Sequence, residues 1–373
     1  MTWWSRARDF GRRGSMAVLE KIFGQEILRP ESVDHETIRS ILVVRQHDQL
    51  GDFLLSTPVC RALREHFPAA RISLVVREYF QGIALLIPSV DEVVVFRERV
   101  SRWSWKRGRE FLRGLRSGRD LAIVLNTVSH SLTSDLLARC SGARYVLGSE
   151  ARVFSGSSRN FFYNLLAADS DPGRHQTQRN LDIVRHIGVD TRDCSPDVVI
   201  SESGSRLARR ELEAMGFDPA LPAIGMHLGA GKKPNRWPVT HFAELARSLT
   251  RSRSLQIVLF WGPAEEELRT QFAGRAGIHT VDAGHPDLQK LAAYCAQCTA
   301  LVCNDTGVMH LGAAAGVPVV AIFGPTNPDE WKPLGVRIHC LRAASQRTED
   351  VSVEDALDAL RLLVGEKLAP PRT

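Results

Sequence analysis

Residues 302–312 read VCNDTGVMHLG, and residues 317–326 read VPVVAIFGPT. This order predicts a short buried strand, a tight turn, a helix with small side chains, a second strand and a Gly-Pro-Thr loop. Asp305 or Thr306 can accept hydrogen bonds from the free N–H groups of the first helical turn. Because the N-terminus of a helix attracts anions, this turn is expected to hold a phosphate group.

Strands and helices alternate on both sides of this stretch. The alternation indicates parallel βαβ units, and the nearly continuous apolar runs indicate sheets covered on both faces. The chain is therefore predicted to be α/β, with two Rossmann-like doubly wound domains at 39–190 and 198–348, a linker at 191–197 and a final helix at 351–366. Ligands of open parallel sheets bind beyond the strand carboxyl ends, so the loops after the strands are expected to face a central cleft.

Composition limits the classes of protein that the chain can belong to. Its 373 residues carry a net charge of +6, which is short of a nucleic-acid signature but suits anionic ligands or a membrane surface. The sequence shows neither a membrane-spanning apolar run nor a signal-peptide core, so a cytoplasmic location is expected. Seven scattered cysteines indicate a reducing compartment, and the helical spacing around Cys295 and Cys298 favours buried side chains over a redox or metal pair.

Residues 1–38 precede the first predicted strand. Tryptophans, a phenylalanine and arginines in 1–13, with apolar residues at helical spacing in 18–28, could form an amphipathic helix on an anionic leaflet. The favoured interpretation is a disordered or loosely packed extension, because chain termini are usually poorly ordered.

The loop after the first strand contains Gly51 and Asp52. Glycine allows a sharp turn close to a substrate, and a carboxylate can take a proton from a hydroxyl nucleophile. Taken alone, the dipeptide is more typical of a helix N-cap.

Three post-strand loops in the second half carry residues suited to a nucleotide diphosphate. Residues 229–238 combine glycines with Lys232, Lys233 and Arg236, whose charges could stabilise a leaving group, although a solvated basic turn fits equally well. Glu265 could bond ribose hydroxyls or complement a helix dipole. His310 lies one turn into its helix, on the same side as Thr306, and could equally be a packed histidine.

Taken together, the post-strand clusters resemble the ADP-heptose glycosyltransferases, the heptosyltransferase family (glycosyltransferase family 9) of lipopolysaccharide core assembly. The resemblance covers about residues 39–334. The matching motifs are Ile41 to Arg45 with Gly51-Asp52, His227 to Gly231 with Arg236-Trp237-Pro238 and His241 to Leu245, Trp261-Gly262 with Glu265, and Asn304 to Gly307 with His310 and Gly324-Pro325-Thr326.

The resemblance implies a GT-B fold, with the acceptor on the N-terminal domain, the donor on the C-terminal domain, and inverting transfer without a metal or cofactor. It implies that Asp52 is the general base, beside Gly51, and that Arg236 faces the donor diphosphate. It further implies donor contacts through the residues that follow the C-terminal strands, which are Gly229, Ala230, Lys232, Glu265 on the ribose and adenine side, Asp305, Thr306, Gly307 and His310. In that family the final helix often packs back on the N-terminal domain.

The implied function is transfer of a sugar, by expectation heptose from ADP-heptose, to a lipopolysaccharide-core or related saccharide. The implied partners are the nucleotide sugar, a lipid-linked acceptor and the cytoplasmic face of the inner membrane, without nucleic acid. His47 and Asp48 depart from the small hydroxyl residues of many relatives and could alter acceptor choice, while Lys232 or Lys233 could share the role of Arg236. Transfer to a protein, use of another nucleotide sugar, and non-catalytic nucleotide-sugar binding remain alternatives.

Overall fold

The computed structural model describes residues 18–151, 157, 159–196, 198–251 and 255–365. The chain divides after Cys194 into two compact units, and this division falls inside the predicted linker at 191–197. Each unit is α/β and is built on one six-stranded parallel sheet.

The first unit has the strand order β3-β2-β1-β4-β5-β6. The order reverses between β1 and β4, as in a doubly wound sheet. The inner strands are almost entirely buried because helices cover both faces, whereas the edge strand β3 is mostly half-buried. Their bounds are β1 Ser40–Val44, β2 Arg71–Arg77, β3 Glu92–Phe96, β4 Leu121–Val124, β5 Tyr145–Ser149 and β6 Leu165–Ala167.

Seven helices accompany this sheet in the described part of the chain. They are α1 at 18–23, α2 Leu50–Leu54, α3 Thr57–His66, α4 Gln81–Ala84, α5 Trp105–Leu115, α6 Leu132–Cys140 and α7 Gln176–Arg185. Pro58 stands at the start of α3, where its missing N–H costs no helical hydrogen bond. The sequence pattern over 53–67 predicts one helix, in which Pro58 either bends the helix or starts its regular part. In the structure Pro58 starts the regular helix α3, and α2 is a separate short helix before it.

The described part of the N-terminal extension packs on the first unit. Leu19 and Phe23 lie against the core, and the Phe23 ring meets Phe162 with 5.7 Å between centroids. The Gln25 side chain donates to the Phe162 carbonyl at 2.7 Å. The prediction of a disordered or loose extension is therefore wrong for 18–38, because buried apolar contacts hold this segment, while the prediction for 1–17 lies outside the described residues.

The second unit repeats the same topology, with the order β12-β11-β10-β7-β8-β9 and the reversal between β7 and β10. Its strands are β7 Ala223–His227, β8 Gln256–Phe260, β9 Val281–Gly284, β10 Ala300–Asn304, β11 Val319–Ile322 and β12 Ile338–Leu341. Its helices are α8 Glu202–Ala214, α9 Val239–Arg251, α10 Glu266–Ala276, α11 Leu288–Cys295, α12 Gly307–Ala314, α13 Pro328–Trp331 and α14 Val353–Val364.

Helix α12 lies close on its sheet, as its small side chains predicted. A Cβ added at Gly312 would come within 2.5 Å of the Leu301 side chain, so only glycine permits this approach. Cys295 and Cys298 are buried, as predicted, and burial raises the pKa of the Cys298 thiol to about 12.

The final helix, α14, packs inside the second unit. Ala356, Ala359, Leu360 and Val364 belong to that unit's core, together with Trp237 and residues of α9. The apolar face of α14 is therefore buried in the core of the second unit, and packing of this helix on the N-terminal domain stays a prediction.

Candidate active site

The loops of interest follow the two strands at which each sheet reverses its order. In the first unit these loops follow β1 and β4, and in the second they follow β7 and β10. In doubly wound sheets this reversal leaves a crevice beyond the strand ends where ligands bind. The structure thus places Gly51 and Asp52 beside one reversal, and Arg236, Asp305, Thr306 and Gly307 beside the other.

Asp52 caps the short helix α2. Its Oδ2 atom accepts a hydrogen bond from the Gln49 N–H at 3.0 Å, so the helix-capping role that the dipeptide favoured is present. Burial raises the pKa of Asp52, against the opposing charge of Arg45. A carboxylate with a raised pKa accepts a proton more readily, so capping and base chemistry are compatible in one residue.

Beneath Asp52, the loop after β1 contains a buried ion pair. Arg45 is almost fully buried, and its Nη1 lies 3.2 Å from Oδ2 of Asp48. Asp48 also accepts a hydrogen bond from Ser129 in the loop after β4, and has a φ of 75°, which aspartate tolerates better than most residues. Arg45 Nη2 donates to the Asp52 carbonyl at 3.0 Å, so this pair fixes the backbone that carries Asp52.

In the second unit, the buried amide of Asn304 joins three segments. Its Nδ2 donates to the carbonyls of Leu228 and Gly229 at 2.9 and 3.0 Å, and its Oδ1 accepts from the Trp237 N–H at 2.8 Å. Asn304 therefore fixes both ends of the loop after β7 to the end of β10. The motif that contains Asn304 predicted turn and N-cap chemistry and did not predict these tertiary hydrogen bonds, although an Asn closing an apolar strand signals a polar partner.

Glu265 lies against the loop after β7. Its Oε2 accepts from the Gly262 N–H at 2.7 Å and lies 3.2 Å from His227 Nε2. An added Cβ at Gly229 would overlap this carboxylate, so any larger residue there would displace the Glu265 side chain. Burial acts to raise the pKa of Glu265, but the His227 hydrogen bond, the Gly262 N–H and the Arg236 charge together lower it.

The N-terminus of α12 has no side-chain cap. Thr306 is the N-cap residue, but its side chain makes no capping hydrogen bond. Asp305 instead accepts from the Asn235 side chain at 2.9 Å, so the prediction that Asp305 or Thr306 caps this helix is wrong. Burial raises the pKa of Asp305, with a Thr326 hydrogen bond and the Lys232 charge acting the other way. The first amides of α12 are thus left without the usual side-chain acceptor.

The basic residues of this loop differ in how they are held. Arg236 is half-buried, and its Nε donates to the Ala230 carbonyl at 2.9 Å, whereas Lys232 and Lys233 are exposed. The Arg236 charge acts on Glu265 and the Lys232 charge acts on Asp305. Arg236 is therefore the positioned cation of the loop, and the structure brings it together with Gly229, Ala230 and Glu265.

Three further observations concern His310, metal binding and membrane-spanning helices in the described residues. His310 is buried within α12. Across the described ranges, three or more His, Cys, Asp or Glu side chains are nowhere grouped so that they could bind a metal ion. The same residues include no helix long and apolar enough to span a membrane.

Comparison with known proteins gives this geometry a family. The sequence profile of glycosyltransferase family 9 (heptosyltransferase) matches residues 109–360. Lipopolysaccharide heptosyltransferase 2 of Escherichia coli K12 is 25% identical, with 79% of this chain and 85% of the relative aligned.

Solved structures show the same two-domain fold. The crystal structure of the glycosyl transferase family 9 protein from Veillonella parvula superposes with a TM-score of 0.77 at 24% identity, covering 88% of this chain and 97% of the other. The E. coli ADP-heptose LPS heptosyltransferase II gives a TM-score of 0.72 at 23% identity, covering 88% and 100%. The predicted GT-B fold is confirmed. The match over residues 109–360 shows that the chain is a glycosyltransferase and belongs to family 9, the heptosyltransferase family.

Proposed function

We propose that this glycosyltransferase moves heptose from ADP-heptose to a saccharide acceptor of the lipopolysaccharide core, with inversion at the anomeric carbon. The observation that carries the proposal is the uncapped N-terminus of α12 in the same unit as the positioned cation Arg236. Relatives named as lipopolysaccharide heptosyltransferases, and a similar structure named for ADP-heptose, support this choice of donor and acceptor.

The donor's diphosphate is assigned to the second unit. Backbone amides of Thr306 and Gly307 and the α12 dipole offer the partial positive charge that phosphate oxygens need. Arg236 supplies a full charge, with Lys232 as a second, more mobile one. Glu265, whose lowered pKa keeps it ionised, is suited to accept hydrogen bonds from ribose hydroxyls. Asp305 and His310 complete the donor side nearest the sugar.

Asp52 is assigned as the general base, which takes the proton from the acceptor hydroxyl. The raised pKa makes it a stronger base than an ordinary aspartate, and the Arg45–Asp48 pair holds its backbone in place. The deprotonated oxygen attacks the anomeric carbon from the face opposite the diphosphate, which inverts the configuration. Positive charge from Arg236 and the α12 dipole stabilises the leaving group, so the transfer requires no metal ion or cofactor.

The acceptor in this proposal is lipid-linked and reaches the enzyme at the cytoplasmic face of the inner membrane. Its saccharide binds on the first unit, where His47 and Asp48 stand at the reversal of the sheet. His47 is about half exposed and is therefore free to meet an acceptor group, whereas Asp48 acts through Arg45.

The decisive experiment replaces Asp52 by Ala and follows transfer with defined donor and acceptor. We expect kcat to fall by about 10²–10⁴-fold, the usual loss on removing a general base, while donor affinity stays near wild type. The matched control is Asp355→Ala, because Asp355 also accepts the N-cap N–H of its own helix, at 3.2 Å, with no role in transfer. Both variants lose a carboxylate that accepts the N-cap N–H of its helix. A difference in kcat between them therefore reports on the loss of the general base.

Turnover retained in Asp52→Ala, or an equal loss in Asp355→Ala, would remove Asp52 from the base role. Mass spectrometry of wild-type enzyme with a panel of nucleotide sugars, in chelator-treated buffer, tests the donor and the metal requirement together. Transfer from another nucleotide sugar in preference to ADP-heptose, or transfer restored only by added metal, would contradict the corresponding part of the proposal.

A further inference from the structure

The outer face of α5 carries both exposed apolar and exposed basic side chains. Phe111 and Leu115 point inward, and the Phe111 ring meets Trp103 at 5.1 Å between centroids. On the other side, Trp105, Arg109, Leu112 and Arg116 follow at spacings of four, three and four residues, which places them on one helical face. Trp105 is 84% exposed and Leu112 is 49% exposed. Exposed apolar side chains that share one helical face, unlike singly scattered ones, are typical of an interaction surface.

The charges on this face have no counter-ions in the described structure. Arg109, Arg116 and the flanking Lys106 and Arg113 form no ion pair with any described residue. Arg116 donates only its Nε, to the Cys140 carbonyl at 3.0 Å. The acid of this helix, Glu110, lies roughly 100° around the axis from Arg109 but neighbours Lys106 and Arg113, at spacings of four and three residues. The exposed face therefore has a net positive charge, with apolar side chains between the charges.

The exposed face continues onto α1. Leu19 and Phe23 anchor that helix in the core, which leaves Val18 and Ile22, four residues apart, on its open side at 58% and 63% exposure. Ile22 and Arg116 line one shallow depression, together with Arg139. The two helices, with Arg139 of α6 beside them, thus present one basic and apolar surface. We call it the α1–α5 face, and it consists of Val18, Ile22, Trp105, Lys106, Arg109, Leu112, Arg113, Arg116 and Arg139.

We infer that the α1–α5 face docks on the surface of an anionic lipid bilayer. Tryptophan, leucine and isoleucine gain free energy at the boundary between headgroups and acyl chains, and each nearby Lys or Arg adds attraction to anionic headgroups. Both components are present, and no long apolar helix is needed because the face lies in the interface plane without crossing the membrane.

Charge and side-chain type exclude the other occupants of this surface. A second copy presenting the same face would bring arginine against arginine, which is repulsive. The basic residues and Trp105 would suit nucleic acid, but the other exposed apolar side chains, Val18, Ile22 and Leu112, are aliphatic and offer no stacking surface for bases, so a lipid surface fits the whole face better. The inference depends on this surface alone and does not depend on the donor or on Asp52.

Co-sedimentation with lipid vesicles tests the docking, in the absence of donor and acceptor. Wild-type protein is expected to bind vesicles of phosphatidylcholine mixed with phosphatidylglycerol and to bind pure phosphatidylcholine weakly, with binding that falls as salt rises. The double variant Arg109→Glu/Arg113→Glu should reduce binding to the mixed vesicles by at least about tenfold. Trp105→Ser/Leu112→Ser should reduce it as well, because the apolar component is lost.

The matched control is Leu207→Ser/Arg210→Glu on α8. Leu207 and Arg210 are also exposed on an amphipathic helix, but Glu202, Glu211 and Glu213 on the same helix compensate its charge. This variant should bind like wild type. Because all substituted side chains are exposed, we expect the thermal midpoints and donor affinities of the variants to match wild type, which separates lost docking from lost folding.

Three results would overturn the inference. Binding that is the same with and without phosphatidylglycerol contradicts the electrostatic component. Undiminished binding of Arg109→Glu/Arg113→Glu assigns any membrane contact to another part of the chain. Loss in the charge variant with full binding in Trp105→Ser/Leu112→Ser indicates a soluble polyanion in place of a bilayer.

Discussion

The two units share one strand order, yet the points at which their sheets reverse are built in opposite ways. In the first unit, a buried ion pair between Arg45 and Asp48 occupies the loop at the reversal. In the second unit the loop after β7 is glycine-lined, Asp305 has no ion-pair partner among the described residues, and the α12 amides lack a side-chain cap. The same topology therefore fixes the backbone of one carboxylate in one unit and leaves an uncapped helix N-terminus, the proposed anion site, in the other.

This difference shows what the fold decides and what the loops decide. Topology places four loops at the carboxyl ends of the strands. Such a loop can bind a ligand when its polar groups lack hydrogen-bond partners within the protein, and it stabilises the fold when those partners are present. The comparison makes four predictions, in order of expected effect.

Asp48→Asn should be the most damaging change to stability. The substitution removes the negative charge that pairs with buried Arg45, but asparagine also tolerates the left-handed backbone at this position. Any loss of stability is therefore due to the missing charge. Breaking a buried pair from one side costs about 3–5 kcal/mol of the free energy of unfolding, measured by urea titration. The exposed Asp358, paired with Arg361 at 2.8 Å, is the control, and Asp358→Asn should cost less than about 1 kcal/mol. Equal losses would refute the account of the first reversal.

Arg236→Gln should affect transfer with little effect on folding. Loss of a positioned cation at the leaving group lowers kcat/KM for the donor by about 10²-fold. The exposed neighbour Lys233 serves as the control, since Lys233→Gln removes a charge from the same loop without a held side chain. If the two variants are equally active, the positioned cation of the loop is not Arg236.

Gly229→Ala tests how tightly the second reversal is packed. The new methyl group would collide with the Glu265 carboxylate and displace it from His227, at a cost of about 1–3 kcal/mol in unfolding free energy. Gly231 lies two residues further along the loop, and a Cβ added there meets no atom within 4 Å. The free energy of unfolding of Gly231→Ala should therefore stay within about 0.5 kcal/mol of wild type. Similar midpoints for both variants would show that the loop relaxes.

Asp305→Asn should show the opposite sign to Asp48→Asn. Because burial raises the pKa of Asp305, ionisation destabilises the fold, and stability is lost as pH rises from the ordinary value of 3.8 through the raised pKa. The amide cannot ionise, so the variant should match wild type near pH 4 and equal or slightly exceed its thermal midpoint near pH 7. A variant that is less stable than wild type at neutral pH would contradict this reasoning.

Most of the fold was predictable because its elements are strongly patterned. The buried strands and amphipathic helices carry clear periodicity, and their alternation dictates parallel sheets. Two strands were missed: β6 has three residues in a Ser-, Arg- and Gly-rich region, and β12 is half-buried at an edge. The residues around 279–281 favour a strand there, but β9 lies at Val281–Gly284, because the polar Asp282 interrupts the apolar pattern.

The candidate site was predictable by position but not by partner. Post-strand placement identified Asp52, Glu265 and Arg236, because loop location follows from topology. The bonds made by Asn304 and Asn235 join segments about seventy residues apart, which no local pattern encodes. The capping error at Asp305 has the same origin, since a tertiary partner outcompeted the local helix end.

The crosslink made by Asn304 has a consequence for how new specificities can arise. One amide holds the loop backbone from both sides, so the loop has its shape before any ligand binds and little ordering entropy remains to be lost on association. Side chains along the loop can then be exchanged during divergence without a change in the path of its backbone. A single inward-facing asparagine would thus allow new ligand preferences to evolve on an unchanged scaffold.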